Sequence, residues 1–525
     1  MHSTINNKHS KDMKKKIAIA ALTLAILPAA AQETYENAKI AWGDLNGTAR
    51  YVGMGGAMEA LGADISTIGT NPAGIGLFRK SQANLSLGLV SQQDGQAFGG
   101  GHTTNMSFDQ LGFVVATRSN STSFLNFGFN YHKSRNFNYI LSAADRLQNA
   151  SQMKLTYAKA KNELLYEGNG TPNFNHSYAT CNQLDDLYAR NILYDGAENT
   201  WYYENADSYT FDRRHWGYIA DYDFNISGNI NNRVYLGLTI GVEDVHYKHY
   251  SEYTEQFSAN SPIRIADDRH ISGSGANLKF GVIFRPVETS PFRIGLAVTT
   301  PTWYDLTTSN YTTASDAGGT ADASDSYEFK LYTPWRFGLS LGHTIGNYLA
   351  LGASYEYTDY GSLDSRYKTG ERYDWWYDDY YSQSESDDVM NRHTGETLKG
   401  VSTLKLGAEF KAAPEVAVRF GYNYVSPMYK KDGFKDGTLD SDASYYSSAT
   451  DYTNWEAIHR ITCGLGIQLD KVNLSAAYQY SMQNGNFEPF MSYYDNQDAA
   501  DDNIANIVKV NNKRHQFLLT ATYTF

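Results

Sequence analysis

The chain has 525 residues, a formal net charge of -13 and a mean hydropathy of -0.50. That acidic balance lacks the basic face that phosphate neutralisation needs, so nucleic acid is excluded as a partner. Behind residue 31 no apolar run approaches the ~20 residues of a membrane helix. Yet 14% of the residues are aromatic, with 42 Tyr, 44 Gly and only 11 Pro. A polar average with many aromatics fits strands of which only every second residue meets lipid.

Residues 1–31 read as an export signal. Met13-Lys14-Lys15-Lys16 is a basic n-region, with Met13 a second candidate start. Ile17 to Leu27 is an apolar h-region, and Ala29-Ala30-Ala31 offers small residues for cleavage before Gln32. No Cys follows, so no lipoprotein anchor is expected. Removing the five lysines and one aspartate of this segment takes the net charge to about -17.

Residues 32–80 form a second unit. Gly47 to Lys80 is glycine-rich, nearly uncharged at its centre and too irregular for a strand. Val52-Gly53-Met54-Gly55-Gly56-Ala57 looks superficially like a dinucleotide turn. It lacks the flanking strand and helix and the acid ~20 residues on that such a turn requires. Glycines here fit backbone packed tightly against other backbone. The expectation is a plug.

Residues 81–525 are expected to be the barrel around it. Period-two alternation starts at Leu85, Leu87 and Leu89 and recurs at Phe113, Phe127, Phe224, Ile240, Phe280, Leu296, Leu339, Leu351, Leu406, Phe420, Leu465, Leu474 and Leu519. About fourteen strands result. Every second connection is short, among them 119–123, 228–232, 344–347 and 470–471; those between are long, above all 139–207, 361–397 and 425–454. This parity is the pattern of outer-membrane barrels and places both termini in the periplasm. A soluble sandwich has no reason to keep it. The fold class is therefore all-β, a transmembrane antiparallel barrel with a lumenal plug of short helices. Trp216, Trp303, Trp335 and Tyr360 fit interfacial girdles, and Ile140 to Glu167 has helical composition. The final strand ends on Phe525, resembling the signal read by the barrel-assembly machinery.

The run from Gly47 to Gly76 resembles the N-terminal hatch of the FadL/TodX family of hydrophobic-compound transporters. Gly53, Gly55 and Gly56 match its glycine cluster and Asn71-Pro72-Ala73 its turn. The long acidic loops resemble the version of Bacteroidetes-type bacteria, some of whose relatives carry a hemin-receptor label. The resemblance implies passive uptake of a hydrophobic small molecule, such as a long-chain fatty acid, across the cell outer membrane. Movement of the plug, with Asn71-Pro72-Ala73 as gate, then lets the molecule leave sideways into the bilayer. The alternatives are a barrel of the same fold serving secretion or surface assembly, and a hemin-binding surface receptor.

A carboxylate-bearing ligand would want a lumenal cation. Lys279, Arg336, Lys405, Arg419 and Arg460 are the inward candidates, and Glu356, Glu409, Asp221 and Asp223 are there to pair with them. Heme would need a His or Tyr ligand; His102, His132, His246 and His249 read as structural or surface residues. The acidic stretches 361–397, 436–451 and 498–502 lack EF-hand spacing. No metal or cofactor is expected, Cys181 and Cys463 are expected unpaired, and no catalytic motif points to an enzyme.

Overall fold

The computed structural model describes residues 33–162, 181–189, 194–195, 200–374, 379–441, 446, 448–495 and 497–525. The signal-peptide reading of residues 1–31 lies outside them. The described chain closes into a 14-strand antiparallel β-barrel. In order these are β1 (Gln82–Gln92), β2 (Thr104–Arg118), β3 (Phe124–Asn136, continued by Tyr139–Arg146), β4 (Ser208–Ile230), β5 (Val234–Gln256), β6 (Ile263–Phe284) and β7 (Arg293–Thr299, continued by Trp303–Asp316). Then come β8 (Gly319–Tyr332 and Arg336–Ile345), β9 (Leu349–Asp359, continued by Asp364–Asp374), β10 (Gly400–Ala413), β11 (Val416–Val425), β12 (Tyr452–Leu469), β13 (Val472–Glu488) and β14 (Val508–Thr524). The ring closes because β1 pairs on one side with β2, Gln82 opposite Val114, and on the other with β14, Gln82 opposite Thr524.

The pleat sorts side chains as the alternation predicts. Leu85, Phe127, Phe224, Ile240, Phe280 and Leu519 are exposed around the outside, while Ser86, Asn126, Asp223, Asn225, Thr239 and Thr520 are buried inside. An apolar belt of this extent on the outside of a polar-lined ring is the arrangement of a membrane barrel. Tight turns close one end. Asn231, Asn232 and Asp470 take φ of 52°, 53° and 50° there, the left-handed region that Asn and Asp tolerate best.

At the other end the long connections are mostly not loops. β4, β5 and β6 run 22 or 23 residues, well beyond the 9–11 that cross a bilayer. Residues 304–326, which read in sequence as another long connection, lie within a paired hairpin of Trp303–Asp316 and Gly319–Tyr332 with its tip at 317–318. The helical reading of Ile140 to Glu167 is corrected. Tyr139–Arg146 is a strand that covers the upper edge of β4, Tyr139 opposite His215. The helix begins only at Met153 and runs to Lys161. An edge of eight unpaired backbone positions outweighs a weak helical stripe. Residues 163–180 lie outside the described set. Tyr360 is also corrected. It faces inward and packs on Trp42, ring centroids 5.6 Å apart, whereas Trp303 and Trp335 are exposed as expected.

Candidate functional site

The plug threads the barrel from end to end. Its first helix, α1 (Thr34–Ala41), lies among the long connections. Lys435 pairs with Glu33 at 3.0 Å, and Thr34 contacts His393 and Thr394 of the loop helix 388–397. The described chain therefore starts at the long-loop end, while Phe525 donates its N–H to the Ser81 carbonyl at the other. Residues 42–46 cross the middle of the lumen. Below them α2 (Ala49–Gly53) is capped by Thr48, whose Oγ1 accepts from Tyr51 N and donates to the Asp64 carboxylate.

The predicted glycines work as backbone contact points. Gly55 takes φ of 63°, and a Cβ there would come within 2.8 Å of Tyr422 N on β11. Reciprocally, a Cβ on wall residue Gly421 would fall 2.1 Å from Gly55 N. Asn71 caps the next turn by accepting from Ala73 N at 3.2 Å, and Ser227 donates to the Pro72 carbonyl at 2.8 Å. Asn71 and Ala73 are fully buried, and a Cβ on wall residue Gly281 would fall 2.1 Å from Asn71 Oδ1. This turn is clamped to the wall.

Of the five inward cations, three are held by acids. Lys279 pairs with Asp223 at 2.7 Å, Lys405 with Glu59 at 2.8 Å and also with Glu356, and Arg419 with Glu409 at 2.6 Å; Arg50 of the plug joins that last pair at 2.8 Å. Arg336 lines a polar cavity beside Tyr360 and Glu356. Arg460 differs. It donates to Asn423 at 2.8 Å and lies 4.0 Å from Asp44 on the plug.

Around Asp44 the structure gathers what the sequence reading missed. Arg135 donates to its Oδ1 at 2.8 Å, and Arg460 and Arg514 line the same cavity of about 170 Å³. Burial alone would raise the Asp44 carboxyl, but Arg135, Arg514 and Arg460 outweigh it and hold it below the usual carboxylate range. Three guanidinium groups thus face one carboxylate. The rest of the cavity wall is mixed: Phe137, Tyr139, Leu141, Met428, Trp455 and Ile458 share it with Glu33, Glu36, Lys39, Arg213, Asp451 and Glu456. Arg135 escaped notice because a bulge between Lys133 and Arg135 breaks the alternation. Arg514 was reachable by running the inward parity of Gln516, Leu518 and Thr520 one step back.

The wall beside this cavity is incomplete. β2 pairs with β3 only from Gln110 opposite His132 down to Arg118 opposite Phe124, although β2 begins at Thr104 and β3 runs on to Asn136. Plug residues fill the gap. Asp44 N donates to the Ser134 carbonyl at 2.8 Å, and Asn136 N donates to Asp44 Oδ2 at 3.0 Å. Asn46 Nδ2 bridges Asp109 Oδ1 on β2 at 2.9 Å and the Lys133 carbonyl on β3 at 3.0 Å. Segment 44–46 satisfies the strand edge that the wall leaves open.

The heme candidates are otherwise engaged. His249 is buried between Tyr247 and Asp267, at 3.0 and 2.7 Å, so neither ring nitrogen faces open space. His246 pairs with Asp244, His102 is exposed, and His132 sits in the acidic cluster treated below. Cys181 is buried and Cys463 exposed, and no disulfide joins them.

No family model and no curated protein matches the chain. Solved structures do. The Ralstonia pickettii toluene transporter TbuX is 11% identical with a TM-score of 0.46, covering 92% of this chain and 99% of its own. A Pseudomonas aeruginosa FadL homologue is 12% identical with a TM-score of 0.48, covering 92% and 100%. The Pseudomonas putida toluene transporter TodX is 11% identical with a TM-score of 0.47, covering 92% and 99%. All three TM-scores lie below 0.5, so the plugged barrel rests on the strand pairing itself and not on these likenesses.

Proposed function

We propose that this protein is an outer-membrane channel for passive uptake of hydrophobic small molecules that carry an anionic group, a long-chain fatty acid being the simplest. The observation that carries this reading is the cavity itself, where the apolar side chains Phe137, Tyr139, Leu141, Met428, Trp455 and Ile458 share a mixed wall with Arg135, Arg460 and Arg514. Apolar surface removes the tail from water, and guanidinium groups take a carboxylate through charge-assisted hydrogen bonds. The cavity touches segment 44–46, so the same segment both floors the ligand site and fills the wall gap. Release of that segment opens a sideways exit into the bilayer, with no passage of the tail through water. Asn71-Pro72-Ala73 then acts as the fixed anchor of the plug, and segment 44–46 takes the role of gate. Residues 1–31 act as the cleaved export signal, and the strand ending at Phe525 as the handle for barrel assembly. An open cavity leading to a wall gap favours transport over a surface-assembly role, which needs neither.

The test compares two ligands of equal tail. In proteoliposomes, Arg460→Gln with Arg514→Gln is expected to slow uptake of a long-chain fatty acid by about 10- to 100-fold, the range for losing hydrogen bonds to a charged group. Uptake of the matching long-chain alcohol is expected to stay within about twofold of the parent. Equal loss for both ligands refutes the arginine role.

A further inference from the structure

The polar cavity below the arginine cluster holds a group of side chains that the transport reading does not use. His132 on β3 lies directly opposite Asp221 on β4, and Asp223 is two residues along the same face. The pleat therefore aims all three into the lumen. His132 Nε2 is 3.9 Å from Asp221 Oδ2, and His132 Nδ1 is 3.9 Å from Asp223 Oδ2. One ligand atom from each of the three residues fits within a 4.8 Å spread.

A second observation concerns acceptors that lack donors. Asp221 Oδ1, Asp223 Oδ2 and Asn277 Oδ1 are all buried without a hydrogen-bond partner among the described residues. Their side chains are 5%, 0% and 2% exposed. Unpaired buried oxygens of this kind are costly, and the two on the clustered carboxylates Asp221 and Asp223 mark a position for a cation. Lys279 does not fill it. Its Nζ takes Asp223 Oδ1 at 2.7 Å and lies 3.7 Å from Asp221 Oδ2, leaving Asp223 Oδ2 without a partner. A carboxylate with one oxygen held by a neighbouring cation and the other free is oriented as a metal ligand.

We infer that His132, Asp221 and Asp223 form a lumenal binding site for a divalent transition ion such as Zn²⁺. Mixed imidazole and carboxylate donors select such an ion over Mg²⁺ or Ca²⁺, which take oxygen alone. Ligand atoms on a tetrahedral zinc, each ~2.0 Å from the metal, lie about 3.3 Å apart. His132 offers one nitrogen to such an ion, and the 4.8 Å spread of that nitrogen and the two carboxylate oxygens closes towards this separation by rotation about χ angles. This departs from the sequence expectation of no metal, and it stands independently of the ligand carried through the barrel. The site also meets the plug. A Cβ on Gly69 would fall 3.5 Å from Asp223 Oδ2 and 3.6 Å from His132 Cε1, so the bound ion sits directly under that turn.

The test uses the full chain, purified in detergent without a polyhistidine tag and stripped with a chelator. Zn²⁺ alone is expected to bind at about one equivalent by calorimetry and to raise the thermal midpoint. His132→Gln and Asp223→Asn are each expected to weaken binding at least tenfold, while Asp244→Asn, at an exposed His/Asp pair, leaves it unchanged. No binding overturns the inference. So does binding indifferent to the two variants, or Ca²⁺ binding as tightly as Zn²⁺. Should the variants fail to fold, X-ray absorption of the Zn²⁺-loaded parent decides. A shell of imidazole nitrogen and oxygen supports the site, and a shell with sulfur or oxygen alone overturns it.

Discussion

Replacing Asp44 and Asn46 together with alanine is expected to open the barrel wall and let small solutes leak through an otherwise folded protein. The double change removes the Arg135 ion pair, the acceptor for Asn136 N and the Asn46 bridge between β2 and β3. Hydrogen bonds to charged groups are worth roughly 1.5–3 kcal/mol each. Losing two of them destabilises the seated segment by about 4 kcal/mol, a shift of about 10³ in the seated-to-released ratio. Three arginines are left facing one another, which pushes the same way. The measurement is liposome swelling in small sugars, with heat-modifiable gel mobility as the check that the barrel is intact. Swelling at the parent rate would mean that segment 44–46 seals nothing.

Gly421→Val is expected to undock the plug without dissolving the barrel. The new Cβ lands 2.1 Å from Gly55 N and 2.4 Å from Met54 C, backbone atoms that cannot rotate away. Neighbouring β11 and β12 are fixed by continuous pairing from Val416 opposite Ile467 to Val425 opposite Ile458, so the plug is the part that gives. Planar-bilayer recordings are expected to show stepwise conductance absent from the parent. Limited proteolysis is expected to cut within residues 42–78. Gly228→Ala is the control, since a Cβ there meets nothing within 4 Å. Conductance in both variants, or in neither, would detach the effect from plug contact.

Much of this was legible in sequence. Alternation and the short/long parity of connections are direct consequences of a pleated wall with lipid on one side, and they carried the strand order correctly. Gly53 and Gly55 lie against wall backbone, where only glycine fits closely, while Gly56 takes φ of 80° and faces the side chains of Leu45 and Lys405. Asn71 was readable because its cap is local. What escaped was set by tertiary partners. Tyr139–Arg146 is a strand because the β4 edge lies beside it, not because of its own composition. Tyr360 looked like a girdle residue until Trp42 of the plug proved to be its neighbour. Arg135, Arg514 and Asp44 come from three distant stretches, and only the fold brings them together. The five inward cations shared one weakness for the same reason. Parity shows which way a side chain points but not whether an acid meets it, and Lys279, Lys405 and Arg419 were already taken.

In the proposed transport route, segment 44–46 must leave the gap between β2 and β3 for a ligand to pass. In a Cys181→Ser, Cys463→Ser background, Asn46→Cys and Asp109→Cys place two thiols where the native side chains are 2.9 Å apart across the gap. A short bis-methanethiosulfonate reagent bridges them, and reductant cuts the bridge. Uptake of labelled fatty acid into proteoliposomes is expected to proceed before bridging, to stop when the bridge forms and to return on reduction. Undiminished uptake through the bridged protein would mean that ligands pass without release of segment 44–46.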